Sequence, residues 1–297
     1  NGKKKFWVRL GNGSQQSSRM EASGRNTSTR TPHGRMTRCA QIFAAYRIER
    51  ARAVIRTVRF LKEEKNGALL QENARGSHCR ADARCPVLKV VPHADLKVLD
   101  PVWTTAFVTR HHGYMIYDTL CGLTKKGEIK PQLVDTYTAS PDNLHYSFTL
   151  REGLKFSDGT PLTTKDVIAS IKRWGARDNL GAKLLAAAEK LEAKDDRTFT
   201  LDFKKPFGMV LDAFSKPSSI PLFVMPEKVA QTDPFKQITD MTGSGPYMFA
   251  ADRYRPGEKV VYLKNPYYVP RNEPADGTAG GKHVYVDELD WVILRDA

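Results

Sequence analysis

The chain has little cysteine, and its four cysteines are poorly spaced for a common chemical task. None forms a CxxC pair, and five residues separate Cys79 from Cys85. Zinc sites normally use tighter, paired spacings of cysteine and histidine. We therefore expect no metal site and no cofactor, and we interpret the cysteines at 39, 79, 85 and 121 as incidental.

Long apolar runs are also missing. A membrane-spanning helix needs about 20 consecutive apolar residues, and no stretch approaches that length. The most apolar segment near the beginning, CAQIFAAYRIERARAVI from Cys39, is interrupted by Arg47, Glu49, Arg50 and Arg52. It does not match the hydrophobic region of a secretory signal, so export cannot be predicted from these residues.

Catalytic motifs are the third absence. The sequence has neither a GxSxG nucleophile elbow nor an HExxH motif. The glycine-rich stretch DGTAGGKH at 276–283 lacks the first glycine and the final serine or threonine of a phosphate-binding loop. His111 and His112 fall in a helical segment, where we expect surface or capping residues. We expect a protein that is not an enzyme.

The positive charge is concentrated at the beginning of the chain. The formal net charge is +14; residues 1–86 hold 19 Lys and Arg against 6 Asp and Glu, or +13, and residues 87–297 hold 28 against 27, or +1. Residues 1–38 have a composition typical of disorder, and residues 41–65 allow a basic helix with a broken apolar stripe. We interpret residues 1–86 as a basic extension that is disordered or not native to the rest.

Two interpretations of this extension stay open. A basic arm could bind nucleic acid, although no interleaved aromatic residues support base stacking. Alternatively, it is a solvated tail, or sequence that selection never shaped, such as an upstream start or a shifted reading frame. A separate alternative for the whole chain is a truncated gene product without a function.

From Pro86 onward, short strands and helices alternate. VLKVV at 87–91 is bounded by prolines, which predicts a short strand. The following stretch VWTTAFVTRHHGYMIYDTLCGL at 102–123 predicts a helix, because Tyr114, Ile116, Tyr117 and Leu120 stand at helix-compatible positions. The turn SPDN at 140–143, followed by HYSFTL, predicts an antiparallel hairpin with one buried face. Because no βαβ unit repeats, the fold class is mixed α/β or α+β.

The stretch LKFSDGTPLTTKDVIASIKRW at 154–174 predicts a turn followed by a capped helix. Gly159 supplies the turn, and Thr163 with Asp166 forms a capping box. Apolar residues then recur at i, i+4 and i+7, ending at Trp174, which we assign to the core.

Seven further segments follow this helix. We predict an alanine- and leucine-rich helix over 182–191 and a strand TFTLDF at 198–203. The loop KPSSIPLFVMP at 216–226 offers hydroxyls and free amides. The loop GSGPY at 243–247 contains two glycines, which allow close approach to the backbone, before a strand YMFA. The last predicted strands are VVYLKN and VYVDELDWVIL.

Several of these segments, taken together, resemble one family. The resemblance to the extracytoplasmic solute-binding proteins of family 5, the dipeptide, oligopeptide and nickel receptors of ABC importers, covers residues 87–297. It rests, in order and spacing, on LDP at 99–101, YDTL at 117–120, GEIKPQLVDTYTASPDNLHYSFTLREGLKFSDGTPLTTKDV at 127–167, the strand after Asp195 and Asp196, GSGPY at 243–247 and KNPYY at 264–268. Thr164 stands where alanine is usual, which is a mild departure.

The resemblance implies a periplasmic-binding-protein-like fold (type II, cluster C), in which two lobes clamp a ligand. It assigns residues 87–120 and 193–297 to the first lobe, and residues 121–192 to a small subdomain inserted in it. The family continues well beyond the point where this chain stops, so we expect the second lobe to be missing. An arginine-rich stretch stands where the family has a cleavable signal.

The resemblance also implies a function. It predicts the substrate-binding component of an ABC importer, located in the periplasm, which binds a peptide or a related small solute between its lobes. The closed form then delivers the solute to the transmembrane permease subunits. No nucleic-acid partner is expected for residues 87–297. Because closure needs both lobes, we expect this chain to bind any peptide weakly or not at all.

The family's cleft-lining segments give nine candidate ligand-binding residues. They come from the stretch after LDP and from the two loops: Trp103, Thr104, Thr105, Phe107, Ser218, Ser219, Gly243, Ser244 and Gly245. Their amides and hydroxyls suit a carboxylate or a peptide backbone.

Overall fold

The structure, a computed structural model, describes residues 7–9 and 87–294. Residues 87–294 belong to one compact unit. Trp7–Arg9 form a strand, so the disorder predicted for residues 1–38 is wrong for these three. The basic helix predicted at 41–65, and the remainder of residues 1–86, lie outside the described residues.

A mixed five-stranded sheet forms one side of the unit. Its strands, in sheet order, are β1 (Trp7–Arg9), β2 (Val87–Val91), β11 (Glu288–Val292), β10 (Lys259–Lys264) and β9 (Tyr247–Phe249). Strand β11 runs parallel to β2, whereas β10 is antiparallel to both of its neighbours. The predicted strand VLKVV is confirmed. The predicted last strand is shorter than expected and begins at Glu288.

An antiparallel four-stranded sheet contains the predicted hairpin. Its strands, in sheet order, are β5 (Val134–Ala139), β6 (His145–Leu150), β8 (Thr198–Phe203) and β7 (Ala188–Ala193). The alternating residues of β6 and β8 are buried on one face, which confirms the hairpin and the strand TFTLDF. Strand β8 lies beyond residue 192, so this sheet crosses the subdomain boundary that we predict there.

Shorter elements complete the unit. A small antiparallel pair joins β3 (Cys121–Leu123) to β4 (Ile129–Pro131). The helices are α1 (Phe107–Ile116), α2 (Thr164–Gly175), α3 (Asn179–Ala187), α4 (Val210–Ser215) and α5 (Glu227–Ala230), with a 3-10 turn at Ala251–Arg253.

Helix α2 forms as its sequence predicts. The capping box of Thr163 and Asp166 is present, and the Asp166 carboxylate accepts from the Thr163 amide at 2.7 Å. Val167, Ile171 and Trp174 are fully buried. The apolar stripe of this helix therefore packs into the core, and the assignment of Trp174 to the core is confirmed.

Two predicted helical stretches are corrected. Helix α1 ends at Ile116 and Tyr117 is extended, because the Ile116 carbonyl accepts from the Gly245 amide at 2.9 Å. Helix α3 ends at Ala187, and the residues from Ala188 to Leu191 belong to β7, where they pair with β8. Pairing along the open edge of β8 overrides the helix propensity of alanine and leucine.

Candidate functional site

The turn LDP is fixed by a buried ion pair. Asp100 is fully buried, accepts a hydrogen bond from the Val102 amide at 2.9 Å, and pairs with Arg173 at 2.6 Å. Arg173, on α2, also donates to the carbonyl oxygens of Thr232 and Asp233. The chain therefore leaves a rigid anchor immediately before the candidate segment at 102–107.

Trp103 is half-buried and forms a cation–π contact with Arg177. The Arg177 guanidinium lies 4.9 Å from the centre of the Trp103 ring, and its Nη2 donates to the Trp103 carbonyl at 3.1 Å. The same guanidinium lies 5.1 Å from the ring of the exposed Phe235. Two aromatic rings and one cation therefore form a compact surface feature.

The rest of this segment leads into α1 at the surface. Thr104 Oγ1 accepts from the Ala106 amide at 3.2 Å, and Thr105 is exposed. Phe107, the first residue of α1, is 54% exposed. An apolar ring of this size at a helix start contributes little to the core and is available to another molecule.

The loop with Ser218 and Ser219 lies next to the same support. Lys216 forms an ion pair with Asp178, and Asp178 follows Arg177 directly in the chain. Both serines are exposed, and Ser219 has a φ of 56°. Arg177 and Asp178, which are consecutive in the chain, thus hold the Trp103 segment and this loop. Six of the nine candidates lie on exposed or half-buried surface: Trp103, Thr104, Thr105, Phe107, Ser218 and Ser219.

The loop Gly243–Gly245 is buried at the opposite end of α1 from Phe107. Ser244 Oγ donates to the Val224 carbonyl at 2.9 Å and accepts from the Asp118 amide at 3.0 Å. The Gly243 amide donates to Ser157 Oγ at 3.2 Å. A Cβ on Gly243 would lie 1.8 Å from the Ile116 carbonyl oxygen. The polar groups of this loop are therefore used inside the lobe, and ligand contact by these three residues stays a prediction.

Four residues that contact Trp103 or Phe107, directly or through Arg177, were not predicted from the sequence: His93, Arg110, Arg177 and Phe235. Arg110 follows Phe107 by three positions, so both lie on one face of α1, and this spacing was a usable signal. The other three residues reach the surface only through long-range packing, which leaves no local pattern.

The paired histidines have different environments. His112 is fully buried, contrary to the expected surface or capping role, and its Nδ1 lies 2.8 Å from the Tyr262 hydroxyl oxygen. Burial lowers the pKa of His112 to about 3. His111 is exposed, and its pKa is lowered by partial burial and then by the charges of Arg110 and His93.

Comparison with known proteins identifies the family. The sequence profile described as "Bacterial extracellular solute-binding proteins, family 5 Middle" matches residues 128–297, which is more than half of the chain. The chain belongs to this family.

Two curated relatives show how much of a family 5 protein this chain covers. The probable peptide ABC transporter periplasmic-binding protein y4tO of Sinorhizobium fredii is 43% identical over 201 residues, 67% of this chain and 37% of the relative. The probable D,D-dipeptide-binding periplasmic protein DdpA of Escherichia coli is 28% identical over 188 residues, 61% of this chain and 36% of the relative. The chain thus spans a little over a third of their length.

Solved structures confirm the fold class. The periplasmic binding protein AgaA of A. tumefaciens R10, solved with agropinic acid, matches with a TM-score of 0.57 and 26% identity, over 71% of this chain and 40% of AgaA. NikA of Brucella suis matches with a TM-score of 0.58 at 22% identity, over the same two shares. The family 5 chain therefore has the predicted type II periplasmic-binding-protein fold, over a part of the length of these proteins.

Two further features of the described residues concern metals and membranes. No cluster of three or more His, Cys, Asp or Glu side chains in this part of the family 5 chain could hold a metal ion. No helix in the same part has the length and apolarity needed to cross a membrane.

Cys121 is a buried thiol whose pKa burial raises to about 12.

Proposed function

We propose that this chain is part of the substrate-binding component of an ABC importer, located in the periplasm. It contributes one wall of a cleft that binds a peptide or a related small solute, which the protein delivers to the transmembrane permease subunits. The chain binds its ligand and catalyses no reaction on it.

One observation carries this proposal. The segment Trp103–Phe107 combines a half-buried tryptophan ring, an exposed phenylalanine ring and two threonine hydroxyls with a rigid support, the fully buried pair of Asp100 and Arg173. Binding sites need side chains whose positions are fixed before the ligand arrives. This segment meets that condition, and it coincides with the stretch that the family resemblance assigns to the cleft.

The names of the relatives favour peptides as the solute class. They include the probable peptide-binding protein y4tO, the probable D,D-dipeptide-binding protein DdpA, and the glutathione-binding protein GsiB of Escherichia coli, which is 30% identical over 159 residues. GsiB is covered over 30% of its length, so the ligand of the present chain stays part of the proposal.

Trialanine is a suitable probe, because it presents a peptide backbone and both termini without a large side chain. We expect saturable chemical-shift changes in the ¹⁵N-labelled 297-residue chain, confined to residues near Trp103 and Phe107, with a Kd on the order of millimolar. Trp103→Ala removes an aromatic contact and should raise this Kd by about fivefold or more.

Tyr285→Ala is the matched control. Tyr285 is 86% exposed and lies just before the start of β11. Because β11 and β2 are parallel, Tyr285 lies at the end of the sheet where β2 begins, away from the residues that follow β2. Its replacement should leave the trialanine Kd unchanged. Of the two outcomes expected for a single lobe, weak binding and no binding, the proposal requires weak binding. An absence of saturable shifts, or shifts that follow Tyr285 rather than Trp103, would therefore overturn the proposed function.

A further inference from the structure

An exposed aromatic and cationic cluster surrounds the start of α1. Phe107 is more than half exposed, and the Arg110 guanidinium carbon lies 4.3 Å from the centre of its ring. The two residues are three positions apart, so their side chains lie on the same helix face. Stacking on the ring fixes the plane of the guanidinium while leaving its edge available.

Two imidazoles complete this Phe107 cluster. The rings of His93 and His111 lie 5.7 Å apart, and the ring of His93 lies 6.5 Å from that of Phe107. His93 comes two residues after the end of β2, which runs parallel to β11. The cluster therefore lies outside the carboxyl end of a strand of the parallel pair, where open α/β sheets commonly bind ligands.

The charge of the cluster is unbalanced. Within the described residues, Arg110 forms no ion pair and its guanidinium donates no hydrogen bond. Arg151, Arg177 and Arg255 also lack an ion pair in this part of the chain, but each donates to a backbone carbonyl oxygen. The first turn of α1 also contains no acidic residue. The Arg110 guanidinium carries a positive charge at neutral pH, and partial burial, Arg110 and His93 lower the pKa of His111.

We propose that Arg110, stacked on Phe107, binds a carboxylate of the solute. A planar guanidinium donates two parallel hydrogen bonds to a carboxylate, which gives both charge complementarity and orientation. The inference rests on the proposed function and narrows its ligand to small solutes with a free carboxylate. That carboxylate could be the C-terminus of a peptide or an acidic side chain.

Trialanine and trialanine amide test this assignment, because they differ only at the carboxylate. In the labelled 297-residue chain, trialanine should bind about tenfold or more tightly than its amide, the difference that a charge-assisted bidentate contact provides. Arg110→Gln should abolish the difference. Arg110→Lys, which keeps the charge but loses the planar fork, should retain only part of it.

A fourth variant and a third peptide sharpen the test. Arg197→Gln removes a partly exposed arginine at the turn between β7 and β8 and should leave the discrimination intact. Ala-Glu-Ala amide carries its carboxylate on a side chain; tight binding of this peptide shows that such a group also satisfies Arg110, and weak binding shows that the C-terminus is required.

The outcomes separate this inference from the proposed function. If trialanine and its amide bind the Trp103 surface with equal affinity, peptide binding stands and the carboxylate assignment is wrong. Discrimination that survives in Arg110→Gln also overturns the assignment. If neither peptide binds, the proposed function and the inference both fail.

Discussion

At the scale of single residues, His112 shows how burial fixes a protonation state. Its ring is fully buried, Nδ1 lies 2.8 Å from the Tyr262 hydroxyl oxygen, and Nε2 has no hydrogen-bond partner in the described part of the chain. A second proton would place a charge in an apolar environment. Burial therefore lowers the pKa from 6.5 to about 3, and the native protein holds the neutral form.

This shift predicts a pH-dependent stability. Above pH 6.5 the histidine is neutral in both the folded and the unfolded chain, so it contributes no pH dependence. As the pH falls from 6.5 towards 3, only the unfolded chain takes up the proton, and the unfolding free energy should fall by about 1.4 kcal/mol per pH unit from this group. Urea unfolding at several pH values measures this slope.

The variant His112→Asn isolates the contribution. Asparagine retains a polar group near the Tyr262 hydroxyl but does not titrate, so the slope between pH 6.5 and 4 should become shallower. The exposed His283, replaced by asparagine, serves as the control and should leave the slope as in the parent. Equal slopes in the parent and in His112→Asn would show that this histidine is not the acid-sensitive group.

At the scale of elements, α1 connects the two kinds of candidate residue. Its first residue, Phe107, is exposed, and its last turn packs against the buried glycine loop. The Gly245 amide takes the place of the next helical donor at the Ile116 carbonyl. The position of the exposed end of α1 therefore depends on close backbone contact at its other end.

Gly243→Ala tests this dependence. The added methyl would lie 1.8 Å from the Ile116 carbonyl oxygen, and because backbone must move to relieve this contact, we expect a loss of about 3 kcal/mol in the free energy of unfolding. Gly208→Ala is the control, since a Cβ there meets no atom within 4 Å. Equal stability of both variants in urea unfolding would contradict the packing role.

At the scale of the whole molecule, one ion pair links distant parts of the chain. Arg173 on α2 contacts Asp100 before α1, and it also donates to three carbonyl oxygens of the segment 232–236. Asp100 Oδ2 additionally accepts from the Ile238 amide at 3.2 Å. The pair thus joins the turn before the candidate segment at 102–107 to a helix and to a loop that is more than a hundred residues from Asp100.

Breaking this pair should destabilise the molecule strongly. Asp100→Ala leaves the Arg173 charge buried without its carboxylate, so the free energy of unfolding should fall by about 3–5 kcal/mol. Glu128→Gln removes one partner of the exposed pair with Lys130 and should cost less than about 1 kcal/mol. Similar losses in the two variants would mean that the buried pair is not the link described here.

Local patterns in the sequence predicted much of the fold. The capping box at Thr163, the buried stripe ending at Trp174, the hairpin around 140–143 and the strand VLKVV all depend on neighbours within a few residues. Patterns formed by such neighbours can be recognised in the sequence without a structure. The alanine- and leucine-rich stretch failed as a prediction from Ala188 onward, because its pairing partner, β8, is a separate strand whose edge the propensity of the stretch does not reveal.

The candidate site also has features that local sequence patterns predict and features that depend on long-range contacts. The sequence alone determined the family, the capped helix and the segment Trp103–Phe107 as a candidate surface, because short motifs carry that information. Only the tertiary structure decided that Gly243–Gly245 is buried, that Arg110 stacks on the exposed Phe107 ring and that Arg177 stacks on the half-buried Trp103 ring. Burial and charge pairing are set by residues far apart in the chain, so the same glycine or arginine can serve packing or binding until the fold assigns its neighbours.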